Sequence, residues 1–224
     1  MKKINLGCGP VGKDDWINVD WGILAVLHKF PVILGLFSRL KLIPRAYLVK
    51  WPKNLKLHDC RRRLPFASDS VDFIYTSHFL EHLKKFDVER LLKDCFRALK
   101  KGGTLRVVVP NLEILLKKYI ERDRDFFIKN FEISKDRKDV LLADLLMDVF
   151  YPEYHKQKAS GSGRLMNWFI RPHLWMYDKE SMFSMLKAAG FKQMEQKSYR
   201  AGELPDLEAL DSLPELSLYI EARK

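Results

Sequence analysis

The chain has 224 residues, 47% apolar and 31% charged, with a formal net charge of +11. That composition excludes a disordered chain, and Cys8, Cys60 and Cys95 are too few and too scattered for a disulfide framework or a zinc-finger spacing. The positive charge favours anionic partners without choosing among them. The N-terminus runs straight into an apolar strand with no signal-peptide pattern, so a reducing, cytoplasmic compartment is the expectation.

In chain order, the first expected strand is about residues 3–6. It enters a glycine turn, Gly7-Cys8-Gly9, and a second strand follows at 16–19, closed by Asp20. Strand, Gly-x-Gly, strand, acid is how a Rossmann-like sheet holds an adenosine. The glycines let backbone approach the ligand, and the acid accepts hydrogen bonds from ribose hydroxyls. Dinucleotide sites add a full helix after the glycines, whose N-terminus holds a pyrophosphate. Here only Pro10 to Asp15 intervene, with a Pro and a Gly among them, too few for several helical turns. A ligand with adenosine and no phosphate fits this pattern better than a nicotinamide dinucleotide does.

Residues 21–58 contain no Asp or Glu but carry Lys29, Arg39, Lys41, Arg45, Lys50, Lys53 and Lys56. One reading is a crossover helix packed on the sheet through Ile23, Leu24, Leu27 and Leu34. The other is an apolar wedge with basic flanks that touches an anionic membrane surface. A bilayer span, which needs about 20 unbroken apolar residues, is excluded. Further strands are expected at 55–58, 71–76 and 104–109. A helix at 86–99 has Val88, Leu91, Leu92, Cys95, Phe96 and Leu99 at helical spacing. Gly102-Gly103 is read as the end of that helix–strand unit. After the fifth strand, residues 112–175 read as an insertion. It has a helix capped by Asn111 over 112–122, a second at 140–150, a polar loop over 152–165 with Ser160-Gly161-Ser162-Gly163, and an aromatic cluster. The cluster comprises Tyr151, Tyr154, Trp168, Phe169, His173, Trp175 and Tyr177. It is either the insertion's own core or a lid over a ring-shaped acceptor. A helix over 178–189, capped by Asp178 and ended by Gly190, precedes two last strands at 191–199 and 216–222. The alternation predicts one α/β domain over residues 1–224.

Four blocks in order carry a resemblance. They are Asn5-Leu6-Gly7-Cys8-Gly9 with Trp16-Ile17-Asn18-Val19-Asp20; Leu57-His58-Asp59 with Leu64-Pro65-Phe66; Ser70 through Leu83; and Leu99 through Pro110. Together they resemble the class I S-adenosylmethionine-dependent methyltransferases of the type 11 group. The resemblance implies a Rossmann-like, seven-stranded, mostly parallel sheet whose last strand is antiparallel, with S-adenosylmethionine as cofactor. It implies cofactor contacts from Asn5, Gly7, Cys8, Gly9, Asp20, Trp21, Asp59, Cys60, Ser77 and His78, with Asp20 on the ribose and Asp59 on the adenine amino group. Relatives often have an acid where Asn5 stands. His78, Glu81 and His82 fall at i, i+3 and i+4, and could ligate a metal if helical. The reading preferred from the sequence is that Glu81 and His82 orient the loop by hydrogen bonds, with no metal.

Methyl transfer to a hydroxyl needs a base, and His78, His82 and His173 are the candidates, with His78 and His173 preferred. The expected acceptor is a small molecule or saccharide, methylated on oxygen or nitrogen, including a membrane-associated glycan. Two alternatives remain open: an RNA methyltransferase, for which no RNA-binding module is visible, and a non-catalytic protein that keeps the cofactor.

Overall fold

The computed structural model describes residues 1–40, 48–130, 140–151 and 172–224. Lys41, Arg45, Tyr154, the 160–163 Ser-Gly run, Trp168 and Phe169 lie outside the described residues.

Seven strands form one sheet: β1 (Lys3–Leu6), β2 (Ile17–Asp20), β3 (Lys56–Leu57), β4 (Val71–Ser77), β5 (Leu99–Pro110), β6 (Gln193–Lys197) and β7 (Ser217–Arg223). Their order is β3-β2-β1-β4-β5-β7-β6. The pairs among β1 to β5 are parallel, and β7 runs antiparallel to both β5 and β6. The order reverses at β1, between β2 and β4, and open sheets of this kind bind ligands outside the carboxyl ends of the strands at such a point.

Side-chain alternation splits the core between the two sheet faces. Ile74, Val107 and Ile220 pack with α3 (Lys85–Ala98) and α7 (Lys179–Ala189), through Val88, Leu92, Met182 and Leu186. Their chain neighbours Tyr75, Val108 and Tyr219 pack on the opposite face with Trp16 and with Leu207 and Leu210 of α8 (Leu207–Leu210). Both α3 and α7 match the periodicity expected of them. At the start of α7 the Asp178 carboxylate accepts from the Ser181 N–H and the Ser181 hydroxyl faces the Asp178 N–H. Gly190 then ends the helix in the left-handed region at φ 114°.

Several expectations are corrected. The Gly102-Gly103 pair lies inside β5, not at a helix end. Helix α3 stops at Ala98 because Leu99 is extended, and β5 pairs with Val71 before a register shift carries it past the glycines. The crossover helix is two short helices, α1 (Ile23–His28) and α2 (Pro31–Arg39), broken where Pro31 starts a new first turn. Ala25, Leu27 and Leu34 face inward, whereas Ile23 is exposed. Beyond β5 the chain forms α4 (Leu112–Ile120), α5 (Arg124–Asn130) and α6 (Leu142–Phe150). Their shared core is Leu115, Phe126, Phe127, Leu145 and Val149, with Leu216 from the sheet side. Of the expected aromatic cluster, Tyr177 is buried in the main core, and Tyr151 and Trp175 are exposed.

A second polar structure lies inside the sheet's α8 face. Arg106 is fully buried on β5. It donates to Asp211 at 2.5 and 3.0 Å and to Glu221 at 3.1 Å, with further bonds to the carbonyls of Ala201 and Ser198.

Candidate active site

The carboxyl ends of β1, β2 and β4 converge on a cavity of about 440 Å³. Gly7 follows β1 and Gly9 closes the turn, at φ 64° and 51°, in the left-handed region where side chains are strained. The two glycines serve differently. A Cβ on Gly7 would stand 2.1 Å from the Phe79 ring, whereas one on Gly9 would meet nothing within 4 Å. Gly9 therefore leaves open space above the turn. Asp20 at the end of β2 accepts from the Gly9 N–H at 2.7 Å and from the Trp21 N–H at 2.6 Å. The acid thus fixes the glycine turn while lining the same cavity. Asn5 fixes the turn from below, its amide donating to the Val11 carbonyl at 2.9 Å.

His78 follows β4 with φ 47°, a left-handed conformation uncommon for a residue with a side chain and one that gathers at functional sites. Its backbone N–H is held by Val108, its Nε2 lies 2.9 Å from the Ser217 hydroxyl, and its Nδ1 is 3.3 Å from Glu81 Oε1. The next residues form a 3-10 turn, Leu80–His82, rather than an α-helix. The Glu81 carbonyl accepts from the N–H groups of Leu174 and Trp175, at 2.6 and 3.2 Å, so residues 172–175 are pinned against this turn. That contact brings His173 beside His82, with ring centroids 4.9 Å apart. Burial, partly offset by the Glu81 carboxylate, pushes the His173 imidazole down to about 4.

A second cavity, of about 260 Å³, opens on the other side of His78. It is lined by His173, Asn130 and Asp148 among apolar groups that include Leu115, Val149 and Leu216. His78 lines both cavities; His82 lines the first and His173 the second.

The structure thus gathers Gly7, Gly9, Asp20, Trp21 and His78 around one cavity, and His78 with His173 around the other. It does not bring the remaining expected residues to the lining. Asp59 is clamped by Arg61, which donates at 2.8 and 2.9 Å and holds the carboxyl below its ordinary value. Cys8 and Cys60 are buried among apolar groups, and burial pushes both thiols up, Cys60 to about 12. Ser77 ends β4 behind the His78 turn. Sequence reasoning missed Phe79 and Trp51. Trp51 stacks on His28 with ring centroids 5.0 Å apart and forms a wall of the first cavity. No local pattern marks it, because its place depends on how residues 21–58 return to the sheet.

A family model described as a methyltransferase domain matches residues 43–107, from ahead of β3 into β5. Among solved structures, an S-adenosylmethionine-dependent methyltransferase from Archaeoglobus fulgidus is 14% identical. It superposes with a TM-score of 0.50 over 100% of this chain and 86% of that one, a likeness of fold. An S-adenosylmethionine-dependent methyltransferase from Mesorhizobium loti is 16% identical, with a TM-score of 0.47 over 100% of this chain and 90% of that one. A Nostoc punctiforme protein provisionally assigned as an O-methyltransferase is also 16% identical, with a TM-score of 0.47; this chain is covered fully and spans 51% of that protein. No curated protein matches the chain. The matched methyltransferase domain, the sheet order and the glycine turn facing Asp20 at the strand ends together make this chain similar to the class I S-adenosylmethionine-dependent methyltransferases.

Proposed function

We propose that the chain methylates a hydroxyl of a small ring-bearing acceptor, of phenol or saccharide type, held in the second cavity. The observation that carries this reading is that His78 lines both cavities, with His82 on the first and His173 on the second, so the two cavities adjoin at this group of imidazoles. The first cavity fits the cofactor. Gly9 leaves open space above the turn, Asp20 offers an acid for ribose hydroxyls, and the cavity's volume lies in the range of small-molecule sites. Gly7, Gly9, Asp20 and Trp21 are the proposed direct contacts; Asn5, Cys8, Asp59, Cys60 and Ser77 shape the loops behind them.

The bound cofactor supplies an electrophilic methyl group on a sulfonium. What the protein adds is alignment and proton handling. The second cavity is small and mostly apolar, which suits the face of one ring better than an extended chain. His78 is proposed as the base, with Nε2 turned to Ser217 and Nδ1 toward Glu81. His173, too acidic an imidazole to hold a proton near neutrality, positions the acceptor.

The test is a methyl-transfer screen over phenols and monosaccharides, with His78→Ala and His173→Ala beside the wild type. General-base catalysis contributes about 10²–10⁴-fold. A fall of that size in kcat for His78→Ala, measured at saturating S-adenosylmethionine, supports the assignment. Equal turnover in all three proteins defeats it.

A second reading concerns where the acceptor is met. Phe30, Val32, Ile33 and Leu36 of the α1–α2 region are exposed, Val32 by 84%, within a segment that holds no acid. An exposed apolar face with basic neighbours suits an anionic membrane surface, and so an acceptor carried on a lipid. Among the described residues no helix is long and apolar enough to cross a membrane.

A further inference from the structure

Between the two cavities lies a group of side chains that base catalysis leaves unexplained. Glu81 is 0% exposed, and neither of its carboxylate oxygens accepts an aligned hydrogen bond. His78 Nδ1 approaches Oε1 to 3.3 Å but off line. One ligand atom each from Glu81, His82 and His173 lie within 4.8 Å of one another.

One of the two imidazoles is anchored from outside this cluster. His82 donates from Nδ1 to the Pro172 carbonyl at 3.2 Å, and the Nδ1 of His173 is buried with no partner. An imidazole whose N–H is tied to a carbonyl turns the lone pair of its other nitrogen the opposite way, which is how metal-ligating histidines are oriented. Here one nitrogen from each imidazole and an oxygen of the buried carboxylate lie within coordination reach of one point. A buried carboxylate with no aligned donor is unfavourable unless a cation joins it, and the two half-buried imidazoles beside it complete a donor set for one.

We propose that Glu81, His82 and His173 bind a divalent first-row transition ion of the zinc, cobalt or manganese class at the junction of the two cavities. Two imidazole nitrogens select such an ion over magnesium or calcium, which prefer all-oxygen shells. Three protein ligands leave coordination positions open, and His173 carries the ion to the wall of the acceptor cavity. An acceptor hydroxyl on an open position loses its proton more readily. As the oxygen–methyl bond forms and the sulfur–methyl bond breaks, that proton passes to His78. The ion's role in methyl transfer rests on the function proposed above; its binding does not.

The experiment uses the full chain stripped with a chelator and titrated with Co²⁺, followed by visible ligand-field absorption. Wild type, His82→Ala and His173→Ala are compared. Circular dichroism on each protein reports whether it is folded, and S-adenosylhomocysteine calorimetry on the wild type reports the cofactor site. The expected result is one equivalent of Co²⁺ in the wild type and at least tenfold weaker binding in either folded variant. Absence of ligand-field bands in the wild type, or bands that persist in both variants, overturns the proposal. If a variant fails to fold, Cu²⁺ electron paramagnetic resonance on the wild type decides. Hyperfine coupling from two imidazole nitrogens supports the site; coupling from fewer removes it. Intact S-adenosylhomocysteine binding without a Co²⁺ site sinks the metal alone. A Co²⁺ site without S-adenosylhomocysteine binding sinks the cofactor reading alone.

Discussion

Asp20 shows how one side chain joins two tasks. Its carboxylate orders the glycine turn through the Gly9 N–H and remains on the cavity wall for a ligand. A hydrogen bond to a charged group contributes about 1.5–3 kcal/mol, so Asp20→Ala is expected to weaken S-adenosylhomocysteine binding by about 10- to 100-fold in calorimetry. Unchanged affinity would place the ligand elsewhere. The turn glycines and Asp20 were legible in the sequence because their roles follow from positions beside strands. Asp59 was legible as an acid at a strand end, whereas its pairing with Arg61, two residues on, was not. Leu174 and Trp175 bring His173 to His82 by bonding the Glu81 carbonyl, and nothing local in either stretch announces that contact.

Among the elements, those built on a periodic apolar face and a clear cap were readable. Helix α3 has five buried residues at helical spacing, and α7 has its Asp178 box and Gly190. Helices α5 and α8, of 7 and 4 residues, were missed because so few turns establish no period. The α1–α2 pair was read as one crossover helix although Pro31 interrupts its apolar run, and the structure breaks it there. Its outward face bears on location. Each basic residue near an anionic surface adds about 1 kcal/mol, and the exposed apolar groups add insertion. The chain is expected to float with vesicles containing anionic lipid and not with neutral ones. Val32→Glu with Leu36→Glu is expected to abolish flotation while shifting stability by no more than about 0.5 kcal/mol each, as exposed sites do. Equal flotation of wild type and variant would exclude this face.

Across the whole molecule, two ionic clusters tie distant segments together. Arg106, Asp211 and Glu221 are buried between β5, β7 and the turn after α8. Removing one partner leaves an uncompensated charge, so Asp211→Ala is expected to cost about 3–5 kcal/mol in urea unfolding, and Arg106→Met with Asp211→Leu and Glu221→Gln, which neutralises the whole cluster, is expected to recover most of it. Asp206 receives hydrogen bonds from Lys13, Trp16 and Lys3, which hold its carboxyl well below the ordinary 3.8. The folded state therefore binds this proton later than the unfolded one. The stabilisation is complete above about pH 4 and is lost as pH falls toward the depressed folded value. Asp206→Asn should flatten that part of the curve of melting temperature against pH, and an unaltered slope would show the cluster to be silent.

The position of β7 has a consequence for the order of assembly. It lies between β5 and β6, so the edge of β5, with Val107-Val108-Val109 at its centre, gains its partner only when residues 217–223 arrive. Thr104 then meets Arg223 across a long loop, a pairing whose closure entropy makes it late and slow. Until then a valine-rich strand with open backbone groups stands ready to pair with another chain. The step that completes the sheet is thus also the one at which a folding chain is most exposed to its neighbours.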